Sequence, residues 1–342
     1  MATGRPEPKP RRIAILAVTD GGHKLAASIA KALPNAAVIV ERTGLAQRLS
    51  SLWLEYDGFV CIMAAGIVAR LIAPLLKGKK TDPCVVVLDE AGRFVVSLLS
   101  GHLGGGNKLA HHIAAITGGQ AVITTASDIS GHTALDLWAR QQDLVAEDDR
   151  LLTQASARLV NHGSLRLHAE VTVHSLPEDF ILANGPDDAD CIVSARLGGW
   201  PKNMLLLRPR NLVVGIGCNR GTGREQIEAA FNEALANNNM SELAVRNLAS
   251  IDLKNDEEGL LAFAESQGLA IDFYGKEQLN AIAGVSWSEA VLRATGAVGV
   301  AEPAALCSAG GDNLIVRKMK CKDVTIAIAR APFTLSAPAP EA

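Results

Sequence analysis

Aromatic side chains make up only 4% of this 342-residue chain. Few Phe, Tyr and Trp means few platforms on which bases could stack, which argues against recognition of single-stranded nucleic acid. Basic charge is not in excess either. The formal net charge is −3, so no global positive field attracts DNA or RNA, and an anionic ligand would need a local cationic pocket. The cysteines Cys61, Cys84, Cys191, Cys218, Cys307 and Cys321 form no CxxC pair. Neither a structural zinc nor a disulfide framework is therefore supported, and a reducing cytoplasm suits the chain. Long apolar runs are also missing. The best stretch, Phe59 to Leu76, is broken by Gly66, Arg70 and Pro74, whereas a membrane span needs roughly 20 apolar residues. The opening MATGRPEPKPRR is basic but has no apolar core, so a signal peptide is not expected.

Hydrophobic residues reach 48% against 20% charged, enough burial to offset chain entropy over two or three domains. Apolar runs with strand character (RIAILAV, GFVCIM, DPCVVVLD, RFVVSLL) alternate with stretches of helical spacing as far as Gln142. That alternation predicts an N-terminal α/β domain, residues 1–145, with a mostly parallel sheet covered by helices on both faces. The neighbouring runs 84–88 and 93–99, separated by Asp89-Glu90-Ala91-Gly92, predict one hairpin within it. Residues 146–209 are less regular and predict a small middle α+β domain. A C-terminal α/β domain restarts at LVVGIG over 210–332, with further helices and a closing β pair at 314–318 and 324–329. Thr222 and Glu225 read as a capping box for the helix after the glycine loop. Residues 333–342 read as a loose tail.

The most informative segment is LLSGHLGGGNKL, residues 98–109. A β run ends in a glycine-rich turn that carries His102 and then enters a helix through Asn107 and Lys108. Gly101, Gly104, Gly105 and Gly106 let backbone amides approach a ligand, and a helix N-terminus favours negative charge. His102 can act as acid or base near neutrality; the competing reading is a tight turn whose histidine caps a carbonyl. Asp89 and Glu90 are ordinary hairpin-turn residues, unless one carboxylate shares the cleft of His102. A tight hairpin would hold Glu90 more than about 20 Å from His102, at ~3.3 Å per strand residue. Arg70, Lys77, Lys79, Lys80, Arg93 and Lys108 supply a cationic stretch in which a subset could bind carboxylates. In GIGCNRGTGRE, Gly217 and Asn219 flank a second strand–glycine–helix junction. Its spacing is not the dinucleotide fingerprint, which leaves a nicotinamide-dependent oxidoreductase unsupported. Cys218 reads as a packed thiol. The adjacent His111 and His112 diverge by about 100° on a helix and are not taken as metal ligands.

These motifs resemble the cobalt-precorrin-5A hydrolase family, usually called CbiG. The resemblance runs from AAGIVARLIAPLLKGKKTDPCVVVLDEAGRFVVSLLSGHLGGGNKLAHHIA through AVITTASD, residues 64–128. It resumes at VVGIGCNRGT, ASIDLKNDEEGL, VAEPAALCSAGG and KCKDVTIAIAR. Leu103 stands where the family has a small residue, and the run GAVGVAEPAAL departs slightly from its pattern. The resemblance implies a cobalt-bound, ring-contracted tetrapyrrole bearing acetates and propionates as substrate, with cobalt carried by the substrate and no protein cofactor or metal. It implies opening of a δ-lactone and release of acetaldehyde. Other cobalamin-pathway enzymes are candidate partners and a homodimer a candidate assembly; nucleic acid and membrane are not.

From residue chemistry, His102 and Glu90 are the candidate catalytic groups. Arg70, Gly101, Gly104, Gly105, Gly106, Asn107, Lys108, Gly217 and Asn219 are the candidate substrate-binding residues. Asp128 and Glu302 come next as bases. The alternative from another class is a non-catalytic protein that binds or channels corrinoid intermediates.

Overall fold

Every residue of strand β1 (Ile13–Ala17) is buried, and so is every residue of β3 (Gly58–Ile62) and β4 (Cys84–Leu88). A strand with no wet side must be covered on both faces, and the chain supplies the cover by sending two helices to each side. In the computed structural model, which describes residues 12–40, 44–78, 81–102, 104–125 and 131–337, two compact units form, Met1–Leu137 and Trp138–Ala342. Lys79, Lys80, Leu103 and Asp128 lie outside the described residues.

The first unit holds a six-stranded sheet in the order β2-β1-β3-β4-β5-β6, where β2 is Ala36–Ile39, β5 Phe94–Leu99 and β6 Gln120–Val122. The first four strands are parallel neighbours, β5 runs antiparallel to β4, and β6 is parallel to β5. Side chains alternate across the sheet. Ile15, Val60, Ile62 and Val86 pack with Ala26 and Ile29 of α1 (Asp20–Ala32) and with Ala110 and Ile113 of α4 (Gly106–Thr117). Leu16, Phe59, Cys61 and Val87 meet Leu49 and Leu52 of α2 (Leu45–Leu52) and Val68 and Ile72 of α3 (Ala65–Ile72) on the other face. The expected hairpin is present and tight, with Leu88 opposite Val95. The division between the units falls within helix α5 (Leu135–Gln141).

The second unit contains two five-stranded sheets. One has the order β10-β8-β11-β12-β7, built from Phe180–Leu182, Leu165–Ala169, Cys191–Val193, Leu205–Pro209 and Leu144–Ala146. Only β7 is antiparallel to its neighbour. The fully buried Arg208 is satisfied at once by the Glu147 carboxylate and by the Ser194 and Arg196 carbonyls, as a charge away from water must be.

The other sheet runs β15-β14-β13-β17-β16. Strands β13 (Leu212–Cys218), β14 (Val245–Ile251) and β15 (Ile271–Tyr274) are parallel, and β17 (Val324–Arg330) pairs antiparallel with both β13 and β16 (Leu314–Cys321). The inner strand β14 and the edge strand β15 occupy sequence where helices were expected. The capping box is not formed either. The helix starts at Arg224 with Gly223 as its N-cap, and Thr222, one residue outside, closes the glycine loop by donating from its hydroxyl to the Asn219 carbonyl at 2.8 Å. The tail is tied down at its start: β18 (Thr334–Leu335) pairs with β9 (Thr172–Val173), and Leu335 is buried.

Candidate functional site

Strand β5 ends at Leu99, and the backbone then turns through Ser100, whose φ of 53° is unusual for a residue with a side chain. The turn is built on contacts that only glycine permits. A Cβ on Gly104 would lie 2.4 Å from the Ser100 Cβ, and one on Gly106 would lie 3.0 Å from the Leu99 carbonyl. Gly105 has φ 78°. The amides of Gly105, Gly106 and Asn107 donate to the carbonyls of His102, Ser100 and Gly101 at 3.0–3.1 Å. These three amides are spent inside the loop, so the anion-binding amide cradle expected from the glycines is not available there.

The loop's product is a fixed position for two side chains. His102 presents Nδ1 to Asp136 Oδ1 at 3.7 Å, and both side chains are largely buried, with 13% and 17% exposure. The buried Asn107 donates from Nδ2 to Thr125 Oγ1 at 3.2 Å. Because β5 and β6 are parallel, the GHLGGGN loop after β5 and the ITT segment after β6 meet at one sheet edge. Lys108, on the first turn of α4, is exposed there. Lys77 joins the same edge, since its amide and that of Gly78 bind Asp82, whose carbonyl accepts from the Ser100 hydroxyl at 3.1 Å. Asp136 was not legible in the sequence, standing 34 positions beyond His102 in a helix with no motif.

Glu90 lies at the opposite edge. It accepts from Thr19 Oγ1 at 2.7 Å, and its carboxylate sits where a Cβ on Gly21 would be, 1.8 Å from that point. A carboxylate over the first turn of α1 is favoured by the helix dipole. The six residues of β5 place about 20 Å of strand between the two edges, so Glu90 and His102 do not share a cleft. Arg70 folds back on its own helix, its guanidinium donating to the Gly66 carbonyl at 2.8 Å. Arg93 is an exposed partner of Asp89 at 3.9 Å.

In the second unit, Gly217 and Asn219 do come together. With Cys218 they line a cavity of about 220 Å³ at the ends of β13 and β14, along with Lys254, Glu302, Lys318 and Thr325. Burial raises the Cys218 thiol and the nearby Glu257 carboxylate adds to this, while Lys254 and Arg220 oppose it, an environment opposite to that of a reactive cysteine. Cys61 is pushed up to about 12 by burial alone. Among the described residues no three His, Cys, Asp or Glu gather as a metal site, and no helix is long and apolar enough to cross a membrane.

Two family profiles match the chain: Cobalamin synthesis G N-terminal over residues 47–128 and Cobalamin synthesis G C-terminus over 212–329. A cobalt-precorrin-5A hydrolase of Priestia megaterium is 38% identical over 304 residues, covering 83% of this chain and 81% of that one. A second, of Salmonella typhimurium, is 32% identical over 94% of this chain and 98% of its own length. Protein CobE of Sinorhizobium sp. is 39% identical over 129 residues, 37% of this chain and 83% of that protein. With both profiles matched and full-length relatives at this identity, the chain belongs to the cobalt-precorrin-5A hydrolase, or CbiG, family.

Proposed function

We propose that this protein hydrolyses cobalt-precorrin-5A in cobalamin synthesis, with the proton chemistry at the His102 edge of the first unit. The observation that carries the reading is that two separated stretches of the family resemblance, GHLGGGN and AVITT, converge on one sheet edge and hold an acid–base group there. Water adds to the δ-lactone carbonyl and the ring C–O bond breaks, leaving a carboxylate and an alcohol. Loss of the alcohol proton then accompanies cleavage of the adjoining C–C bond. The electron pair passes into the conjugated macrocycle and the two-carbon unit departs as acetaldehyde, giving cobalt-precorrin-5B.

Both steps need a base. Asp136 faces Nδ1 of His102 and favours the tautomer protonated there, which makes Nε2 the basic nitrogen of the ring. With the loop amides engaged, stabilisation of the developing oxyanion falls to the exposed Lys108, and Lys77 suits a carboxylate arm as a point charge. Glu90 is assigned to anchoring α1 rather than to proton transfer. Cobalt arrives on the substrate, and the work belongs in the cytoplasm.

The test is acetaldehyde release from the cobalt lactone by purified protein. The wild type is expected to turn over, and His102→Ala to lose on the order of a hundredfold in kcat. Asp136→Asn is expected to lose less and to shift the acidic limb of the pH–rate profile, a change that a purely structural role would not produce. A protein that binds the lactone without releasing acetaldehyde would be a corrinoid carrier, and the proposal would fall.

A further inference from the structure

The cavity in the second unit has the composition of a ligand pocket. Its floor is the end of β13 at Gly217 and Cys218 and the end of β14 at Ile251. One wall is helix α10 (Glu289–Thr295), whose Ala290, Val291 and Ala294 line the open pocket, and another is the first turn of α11 (Ala301–Ala309). Glycine at 215 makes this second wall possible, since a Cβ there would lie 1.8 Å from the Ala301 carbonyl oxygen. The walls are apolar; the polar groups stand at Lys254, Lys318, Glu302, Asp323 and Asn219.

The two carboxylates are already committed. Glu302 accepts from the Ser286 amide, from the Ser286 hydroxyl at 3.0 Å and from the Lys318 amide at 2.8 Å, and Asp323 accepts from Asn219 Nδ2 at 2.7 Å. Lys254 is bound to Glu257 at 2.9 Å. The Lys318 ammonium is different, for it enters no ion pair among the described residues. An apolar pocket with one uncommitted cation at its edge selects an anion carried on an aliphatic stem. At about 220 Å³ it falls below the roughly 300–1,000 Å³ of pockets that enclose a whole drug-sized ligand, so it takes an arm of a larger molecule.

We infer that this cavity is a binding site for an acetate or propionate arm of a corrinoid, with Lys318 pairing the carboxylate and the α10 alanines packing its stem. The ligand class rests on the proposed function; the site itself does not. The experiment is calorimetric titration of the full chain with dicyanocobyrinic acid, a polycarboxylate corrinoid, and with its heptamethyl ester as the uncharged control. The wild type is expected to bind the acid and to bind the ester far more weakly. Lys318→Ala should weaken acid binding by about tenfold or more, the worth of a charge-assisted hydrogen bond. Ala294→Trp, at an exposed helix position, should fill the pocket and weaken acid binding as strongly. Circular dichroism checks that both variants fold.

No binding by the wild type, equal binding of acid and ester, or wild-type affinity in both variants overturns the inference. Acetaldehyde assays on the same wild-type sample separate the two proposals. Turnover with unaltered corrinoid affinity in the variants sinks this site alone, whereas absent turnover sinks the proposed function.

Discussion

Glu302 shows how one buried carboxylate can be charged and still belong to a core. Only 2% of its surface is exposed, and burial alone would raise its pKa. The Lys318 and Ser286 amides, the Ser286 hydroxyl and the charge of Arg317 outweigh that effect and hold it below its ordinary value of 4.5. A carboxyl depressed in the folded state contributes stability that is fully present above its unfolded pKa and is lost as pH falls through the folded one. The stability difference between wild type and Glu302→Gln should therefore be largest near neutrality and shrink as pH falls below about 4. Chemical denaturation across that range measures it. A gap independent of pH would show that the hydrogen bonds matter and the charge does not. His102 is the contrasting case, since its partner Asp136 is in place but long at 3.7 Å, a geometry that commonly tightens only once substrate is bound.

Between elements, the close seat of α11 on β13 is the joint most exposed to a single methyl group. Gly215→Ala would put a Cβ 1.8 Å from a backbone oxygen, so the helix must move, at a cost of about 1–3 kcal/mol or more. Gly217→Ala, two residues on and on the same face, would meet Val300 at an ordinary 3.4 Å and should be nearly neutral. Thermal melts of the two variants test the contrast, and equal melting temperatures would refute it.

The same elements show where the sequence is readable. Fully apolar runs such as CVVVL and GFVCI announce buried strands, and the tight β4–β5 hairpin follows from Asp-Glu-Ala-Gly between two of them. Strand β14 stayed hidden because VRNLASI carries Arg246 and Asn247. Its polarity is absorbed only in three dimensions, where Asn247 donates to Asp272 and Ser308 and Arg246 to the Ser308 carbonyl. The capping box failed because the helix takes Gly223 as its N-cap, which leaves Thr222 one residue outside it in the glycine loop. At the candidate site His102 was readable from its loop, whereas Asp136 depends on a fold that spacing does not reveal.

At the scale of the whole molecule, the second unit is held by contacts between residues far apart in sequence as well as by its two five-stranded sheets. The strand pair β9–β18 joins residue 172 to residue 334, and the Trp138 indole N–H donates to the Ser336 carbonyl at 3.1 Å. Removing residues 332–342 would expose the Leu335 site and leave the buried Trp138 donor without its acceptor. Together these are worth roughly 2–5 kcal/mol, and urea denaturation should show a correspondingly lower midpoint. A shortened chain with the wild-type midpoint would mean that the tail is ornamental.

That stitch also sets a schedule on the ribosome. Residue 334 is made 162 residues after residue 172, and at about 5–20 residues per second this is on the order of 10–30 s. Throughout that interval β9 has no partner strand, and Trp138 waits for a carbonyl not yet synthesised. This seam can close only after residues 334–336 have been made, so messages that stall before them would yield chains with an open seam, a target for protein quality control.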